Sequence, residues 1–328
     1  MNNNTLREIS SKLLSKPEWL ITGHIIPDGD CVGSVLGLYH VLKAVGKEAA
    51  MLLEDPIPET YSFIEGAQLI KKPGEIKNIP DSVICLDCSD LGRLGDKTGK
   101  IVAGCSECIN IDHHMTNNYF GDLNYVDSGA AATGEIIIEL LGCMGADINT
   151  NVAQALFSAL VTDSGSFMNN NTTAATMKKA AVLLESGLDI NKIRINLFES
   201  KPELEVLLLQ YALNSISFHC GKKVACMRLL YEDMKELGAL DFHPEGIIDY
   251  TRRIQGVEIG ILFREIAPGL VKVGFRAKNM ADVALLAQNF GGGGHRQAAG
   301  AKISGGIDEV MQKVLTKTEE VLSSCKDS

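Results

Sequence analysis

Positive charge is scarce in this chain. It has 31 Lys and Arg against 41 Asp and Glu, a formal net charge of −10 and a pI near 5.3. A protein that wraps long nucleic acid neutralises many phosphates with a basic surface, so this balance argues against one. A short phosphorylated substrate at a metal site remains open, because clustered carboxylates are neutralised there by cations. Long apolar runs are missing too, and none approaches the roughly 18–20 residues of a spanning helix. The start, Met1-Asn2-Asn3-Asn4-Thr5-Leu6-Arg7-Glu8, has neither the basic segment nor the apolar segment of a secretory signal. The expectation is a cytoplasmic protein with no membrane partner. Nine cysteines, an odd count in a chain with no expected secretion signal, argue against a disulfide framework.

Two cysteine pairs need separate weighing. Cys85-x-x-Cys88 and Cys105-x-x-Cys108 stand at a zinc-ribbon-like separation. Neither pair encloses a Gly or Pro to turn a knuckle, and Ser82 to Cys88 reads as a buried strand. Ordinary buried thiols are the expectation.

What is present is a globular composition, 45% hydrophobic and 22% charged, in 328 residues, a length that suggests two domains. Trp19–His24, Glu48–Leu53, Val83–Asp87 and Cys108–Asp112 read as strands. Cys31–Lys43, Gly134–Leu141 and Thr150–Asp163 read as helices. That alternation predicts βαβ units and a parallel sheet covered on both faces, with ligands at the carboxyl ends of the strands. Ile193 to Ile216 is mainly helical, with Pro202 as a break or helix start. Beyond Phe218 the pattern changes to strands at Val224–Leu229, Val257–Arg264 and Leu270–Arg276. Helices follow at Met280–Phe290 and Ile307–Leu322. The fold class is therefore α/β: an N-terminal parallel-sheet domain over 1–190, a helical connector over 191–216 and a smaller α+β domain over 217–328.

Four clusters carry chemistry. His24-Ile25-Ile26-Pro27-Asp28-Gly29-Asp30 puts a His and two Asp in a loop entering a helix, where the bland alternative makes Asp30 an N-cap. Asp87 ends an apolar strand, where a buried carboxylate needs a partner. Asp112-His113-His114 closes another strand, and strand alternation sends the two His to different sides. Asp163 ends an apolar helix, against the dipole. For Asp87 or Asp163 alone, a solvated loop carboxylate is the simpler reading. Together, His24, Asp28, Asp30, Asp87, His113 and Asp163 form an N/O donor set suited to Mn²⁺ or Mg²⁺. With Asp112 there are five carboxylates, too many to stay ionised together without cations or shared protons. A two-metal centre with one bridging carboxylate and a bridging hydroxide resolves this, and in-line attack on phosphorus is its natural reaction.

His-x-x-x-Asp-x-Asp at 24–30, Asp87, Asp112-His113-His114 and Asp163 resemble, in order, the four motifs of the DHH phosphoesterase superfamily. Gly291-Gly292-Gly293-Gly294-His295-Arg296-Gln297-Ala298-Ala299-Gly300 is similar to the DHHA1 signature. The resemblance spans nearly the whole chain and is nearest the compact bacterial branch of nanoRNases and pAp phosphatases. It implies that His24, Asp28 and Asp87 hold one metal and that Asp30, Asp87, His113 and Asp163 hold the other. His114 is then at the scissile phosphate and Asp112 orients the His pair. The DHHA1 domain would bind the nucleotide through the Gly291–Gly294 backbone, His295 and Arg276, with Arg264 a weaker candidate because Glu265 offers it a surface ion pair. His40, His219 and His243 match no motif and read as structural or surface residues. Phe167 reads as a core residue before a base-stacking one.

The implied activity is hydrolysis of short RNA to mononucleotides and of pAp to AMP, with two Mn²⁺ ions and Mg²⁺ or Co²⁺ as substitutes. The implied partners are short RNA or dinucleotides and pAp, no long nucleic acid and no membrane, with a homodimer permitted. The alternative is a cyclic or linear dinucleotide (c-di-AMP or pApA) phosphodiesterase.

Overall fold

The computed structural model describes residues 3–242, 246–279 and 281–324, without the side chains of His295 and Ser324. His243, Met280 and the His295 side chain, all named above, lie outside the described residues. The chain divides into two compact units, at Ser200/Lys201.

The first unit runs α1 (Leu6–Ser15), β1 (Glu18–Thr22), α2 (Gly29–Ala44), β2 (Glu48–Leu52), β3 (Ser82–Leu86), α3 (Asp96–Gly104), β4 (Glu107–Asp112), β5 (Leu123–Val126), α4 (Thr133–Met144), α5 (Thr150–Asp163), α6 (Ala174–Glu185) and α7 (Ile190–Phe198). Its five strands lie in the order β2-β1-β3-β4-β5, all parallel. β3 is buried along its whole length, as a strand covered on both faces must be. The strand order reverses between β1 and β3, so the loops after these strands flank the crevice where such sheets bind ligands. β5 is short and half-buried, which is why its pattern did not stand out. Its edge is closed by Asn3 and Asn4: Val126 N–H donates to Asn3 Oδ1 at 2.9 Å and Asn124 N–H to Asn4 Oδ1 at 2.9 Å.

A small-residue stripe sets how α2 sits. A Cβ on Gly33 would lie 2.5 Å from the Ala155 carbonyl oxygen, and one on Gly37 would lie 2.4 Å from Leu156 Cδ2. Gly29 approaches Thr162 in the same way, and Gly134 of α4 meets Ala159. Helix α5 therefore packs at near-backbone distance from α2 and against the start of α4. That brings the N-termini of α2 and α4 to the C-terminus of α5.

The second unit runs α8 (Glu203–Asn214), β6 (Ser217–His219), β7 (Val224–Leu229), α9 (Tyr231–Glu236), α10 (Asp249–Arg252), β8 (Ile259–Ala267), β9 (Leu270–Ala277), α11 (Val283–Gln288), β10 (Gly293–His295), β11 (Ala298–Ser304) and α12 (Ile307–Ser324). Its six-stranded sheet, β10-β11-β9-β8-β7-β6, is antiparallel except at β7–β8. One face packs Ile259, Ile261, Phe263, Val271, Val273 and Phe275 against α11 and α12. Across the sheet, Met227 and Leu229 pack with Leu208 of α8 and Met234 of α9. The stretch expected as a connector is divided: Ile193 and Leu197 of α7 join the first core, and Leu208 and Ala212 of α8 join the second. Pro202 caps the start of α8. Among the described residues no helix is long and apolar enough to cross a membrane.

Candidate metal centre

The donors converge where the carboxyl ends of β1, β3 and β4 meet the ends of the three packed helices. His24 follows β1 and is buried. Its Nδ1 faces the Ile25 carbonyl at 2.8 Å, which aims Nε2 at Asp87 Oδ2 (3.3 Å) and Asp28 Oδ1 (3.6 Å). His113 repeats the arrangement. Its Nδ1 faces the Ala130 carbonyl at 3.3 Å, and Nε2 lies 3.5 Å from Asp87 Oδ1 and 3.7 Å from Asp30 Oδ2 and Asp163 Oδ2. A backbone carbonyl on the far ring nitrogen is the usual way a ligating imidazole is oriented.

These separations exceed a normal hydrogen bond. Two donors sharing one cation at about 2.1 Å stand roughly 3.0–3.4 Å apart, close to what is observed. His24, Asp28 and Asp87 form one candidate donor group, and Asp30, His113 and Asp163 another. Asp87 belongs to both in effect, since its Oδ2 faces His24 and its Oδ1 faces His113. Asp87 sits just past β3 with φ at +55°, a left-handed conformation that Asp tolerates better than most residues. The donor set therefore fits divalent cations.

The bland alternative for Asp30 and the expected divergence of the two His are both corrected. Asp28, not Asp30, caps α2: its Oδ1 accepts the Asp30 and Cys31 N–H groups, both at 3.1 Å. Asp30 is buried in the first turn and is held by α4, accepting the Thr133 N–H at 2.6 Å and the Gly134 N–H at 3.0 Å. Nor do the two His of the triplet diverge. β4 ends at Asp112, so strand alternation no longer governs them. Their rings meet edge-on at 4.8 Å, and both face Asp87.

His114 is held differently from the other two imidazoles. Its Nδ1 faces Asp112 Oδ1 at 2.7 Å. The same Asp112 oxygen accepts the His113 N–H at 2.8 Å, while Oδ2 accepts from Asn117 Nδ2 at 2.6 Å. Asn117 also donates to Asn110 Oδ1 and the Cys88 carbonyl. Sequence reasoning missed Asn110, Asn117 and Thr133, whose hydroxyl donates to Asp87 Oδ1 at 3.1 Å. Thr133 opens a helix and reads as an ordinary start, and no local spacing ties either Asn to Asp112.

The electrostatics show what the centre lacks without cations. Burial opposes charge on His24, but Asp28 and Asp87 outweigh it and raise its pKa to about 10. For His113, burial is likewise outweighed, by Asp30, Asp87 and Asp163, and the pKa rises to about 9. Burial, only partly offset by His113, lifts Asp163 to about 6. Burial and the Asp87 charge push Asp30 well above the carboxylate range. Cations bound by these donors would displace such protons.

The cysteines do not form a ribbon. Cys85 Sγ and Cys108 Sγ approach to 3.7 Å, while Cys88 and Cys105 turn to the carbonyls of Asp90 and Ile101. Phe167 packs edge-on against Phe157 at 5.9 Å.

In the second unit, Gly292 and Gly294 are required by chain packing. Cβ atoms there would lie 2.1 Å from the Gly300 carbonyl oxygen and 2.5 Å from that of Ala298. From Gly293 the glycine run thus enters a β10–β11 hairpin. Around Gly291 and Gly293 the space is open. Arg276 is half-buried, with Nε 3.8 Å from Asp249. Arg264 has no ion pair with Glu265. It is buried and donates to the Phe242 carbonyl at 2.9 Å, whereas Glu265 accepts the Tyr231 N–H.

Residues 18–160 match the model of the DHH family N-terminal domain, and residues 231–324 that of the DHHA1 domain. A relative in Thermus thermophilus, named bifunctional oligoribonuclease and PAP phosphatase NrnA, is 32% identical over 95% of this chain and 92% of its own. This chain belongs to the DHH–DHHA1 phosphoesterase superfamily. A second member of the same name, from Bacillus subtilis, is 26% identical over 85% of this chain and 87% of its own. Among solved structures, an exopolyphosphatase-related protein from Bacteroides fragilis superposes with a TM-score of 0.90 at 25% identity, covering 97% of each chain.

Proposed function

We propose that this protein is a metal-dependent phosphoesterase that hydrolyses short oligoribonucleotides to mononucleotides and pAp to AMP. One observation carries the reading: Asp87 turns its two oxygens to two imidazoles, each aimed by a backbone carbonyl and each beside further carboxylates. The names of the Thermus and Bacillus relatives support the substrate class.

We assign His24, Asp28 and Asp87 to one cation, and Asp30, Asp87, His113 and Asp163 to a second. The N/O donors suit Mn²⁺, with Mg²⁺ or Co²⁺ as substitutes. When bound, the cations supply Lewis acidity and lower the pKa of water. The chain does the rest. Thr133 and the α4 N-terminus fix Asp87 and Asp30. Burial lowers the pKa of His114 and Asp112 raises it by more, and Asp112 holds the ring through Nδ1 so that its other nitrogen donates to a phosphoryl oxygen as charge develops. Water attacks phosphorus and gives up a proton, the bond to the leaving ribose oxygen breaks, and that oxygen takes up a proton, so one water is divided between the two products. The second unit binds nucleotide phosphate through Arg276, the Gly291–Gly294 backbone and His295.

Purified protein with Mn²⁺ is incubated with pAp, 2–5-nucleotide RNA, a 30-nucleotide RNA, pApA and c-di-AMP, with Asp112→Ala and His113→Ala as controls. Turnover of pAp and short RNA, lost in both controls and slow on the 30-mer, is expected. Preferred turnover of c-di-AMP over RNA would move the assignment to the dinucleotide reading.

A further inference from the structure

Arg264, Lys272 and Lys302 form one cross-strand row. Arg264 on β8 is opposite Lys272 on β9, which is opposite Lys302 on β11. Residues so placed in antiparallel strands stand about 4.5–5.5 Å apart at Cβ, and like charges there are destabilising. Among the described residues no carboxylate is paired with any of the three. Arg264 is only 7% exposed, and of the five N–H donors a guanidinium carries one has a partner among the described residues, the Phe242 carbonyl. Burial lowers its pKa, and burial followed by Arg264 and Lys302 lowers that of Lys272. A protein with a net charge of −10 thus commits three of its cations to a row that repels itself. Such an arrangement is stabilised by an anion.

The row is on the same sheet face as Arg276, four residues along β9 and thus about 13 Å away. Each nucleotide added to a nucleoside bisphosphate brings a further phosphodiester, which the row can hold beyond the phosphate at Arg276. We propose that Arg264, Lys272 and Lys302 form a second anion subsite that holds a backbone phosphodiester of an oligoribonucleotide and favours substrates longer than one nucleotide. The proposal rests on the oligoribonuclease reading for the ligand's identity, and on the row alone for its charge.

Lys272 and Lys302 are exposed, so Lys272→Gln/Lys302→Gln leaves the core intact. With Mn²⁺ present, kcat/KM for a 5-nucleotide RNA is expected to fall about tenfold, and that for pAp to stay within about twofold. The salt dependence for the 5-mer becomes shallower by about 0.7 in log–log slope for each phosphate that is no longer neutralised. Tm is expected to rise, since the repulsion is relieved. Lys272→Arg/Lys302→Arg restores the 5-mer activity. An equal fall for pAp and the 5-mer, or no fall for either, overturns the subsite. If the unmutated protein cleaves neither, the oligoribonuclease reading fails. Calorimetry with tripolyphosphate then decides the subsite: binding abolished in the Gln variant sustains an anion site, and equal binding in both proteins overturns it.

Discussion

The two units handle charge in opposite ways. The first gathers Asp and His at one end of a parallel sheet, where burial and crowding leave each carboxylate dependent on an imidazole. The second spreads Arg264, Arg276, Lys272 and Lys302 across a face of a mixed sheet, four cations at different depths. A parallel sheet aims its loops at one edge, so it concentrates functional groups. A mixed sheet presents alternate side chains over an area, so it distributes them. The comparison therefore predicts loss of function from single atoms in the first unit and graded loss in the second.

The sharpest break is Asp87→Asn. Replacing the shared carboxylate by a neutral amide, with one oxygen exchanged for a nitrogen, is expected to lower kcat by about a thousandfold or more, and calorimetry with Mn²⁺ should register loss of tight binding at both positions. Asp28→Asn, in the same titration, should weaken one equivalent and leave the other. Next comes Asp112→Asn, which keeps the shape but weakens the hold on His114. A fall in kcat of about 10–100-fold with near-normal Mn²⁺ stoichiometry is expected from steady-state kinetics and calorimetry together. In the second unit, Arg276→Gln should raise KM for pAp about tenfold and leave kcat nearly unchanged, the signature of weakened substrate binding. A collapse of kcat there would erase the contrast between the units.

The packing beneath the first site can be tested independently of its chemistry. Gly33→Ala forces a methyl against the Ala155 carbonyl and is expected to cost about 1–3 kcal/mol, read from urea unfolding. Gly187→Ala meets nothing within 4 Å but sits at φ +79°, so its cost is backbone strain of about 1 kcal/mol.

The pH dependence follows from His24 near 10 and His113 near 9. Both values lie above the ordinary 6.5, so the stability these histidines contribute is complete below about pH 6.5 and is lost as pH rises through 9–10. Without metal, Tm should fall from pH 7 to pH 10. With saturating Mn²⁺ the fall should be smaller, because the cations displace those protons. Thermal shift with and without Mn²⁺ reads both curves.

Much of the first unit was legible in the sequence. β3 announces itself as a buried apolar run, Thr150–Asp163 is a helix to the residue, and each motif lies where a strand or helix ends. Local spacing could not say which Asp caps α2, because Asp28 and Asp30 are both placed to do so and only the packing of α4 takes Asp30 away. It could not place Thr133 or Asn117, whose roles come from partners distant in sequence or from a turn beyond β4. In the second unit the strands were visible but the Arg264–Lys272–Lys302 row was not, since register is set by pairing between strands. The structural need for Gly292 and Gly294 was not legible, because it comes from the Gly300 and Ala298 carbonyls of β11 across the hairpin.

The central claim is that Asp87 joins two donor groups into one two-cation centre. Electron paramagnetic resonance of the protein with two equivalents of Mn²⁺ tests it directly. The account predicts an exchange-coupled pair in the unmutated protein, replaced in Asp87→Asn by the six-line spectrum of isolated ions. Two uncoupled Mn²⁺ spectra in the unmutated protein would contradict it.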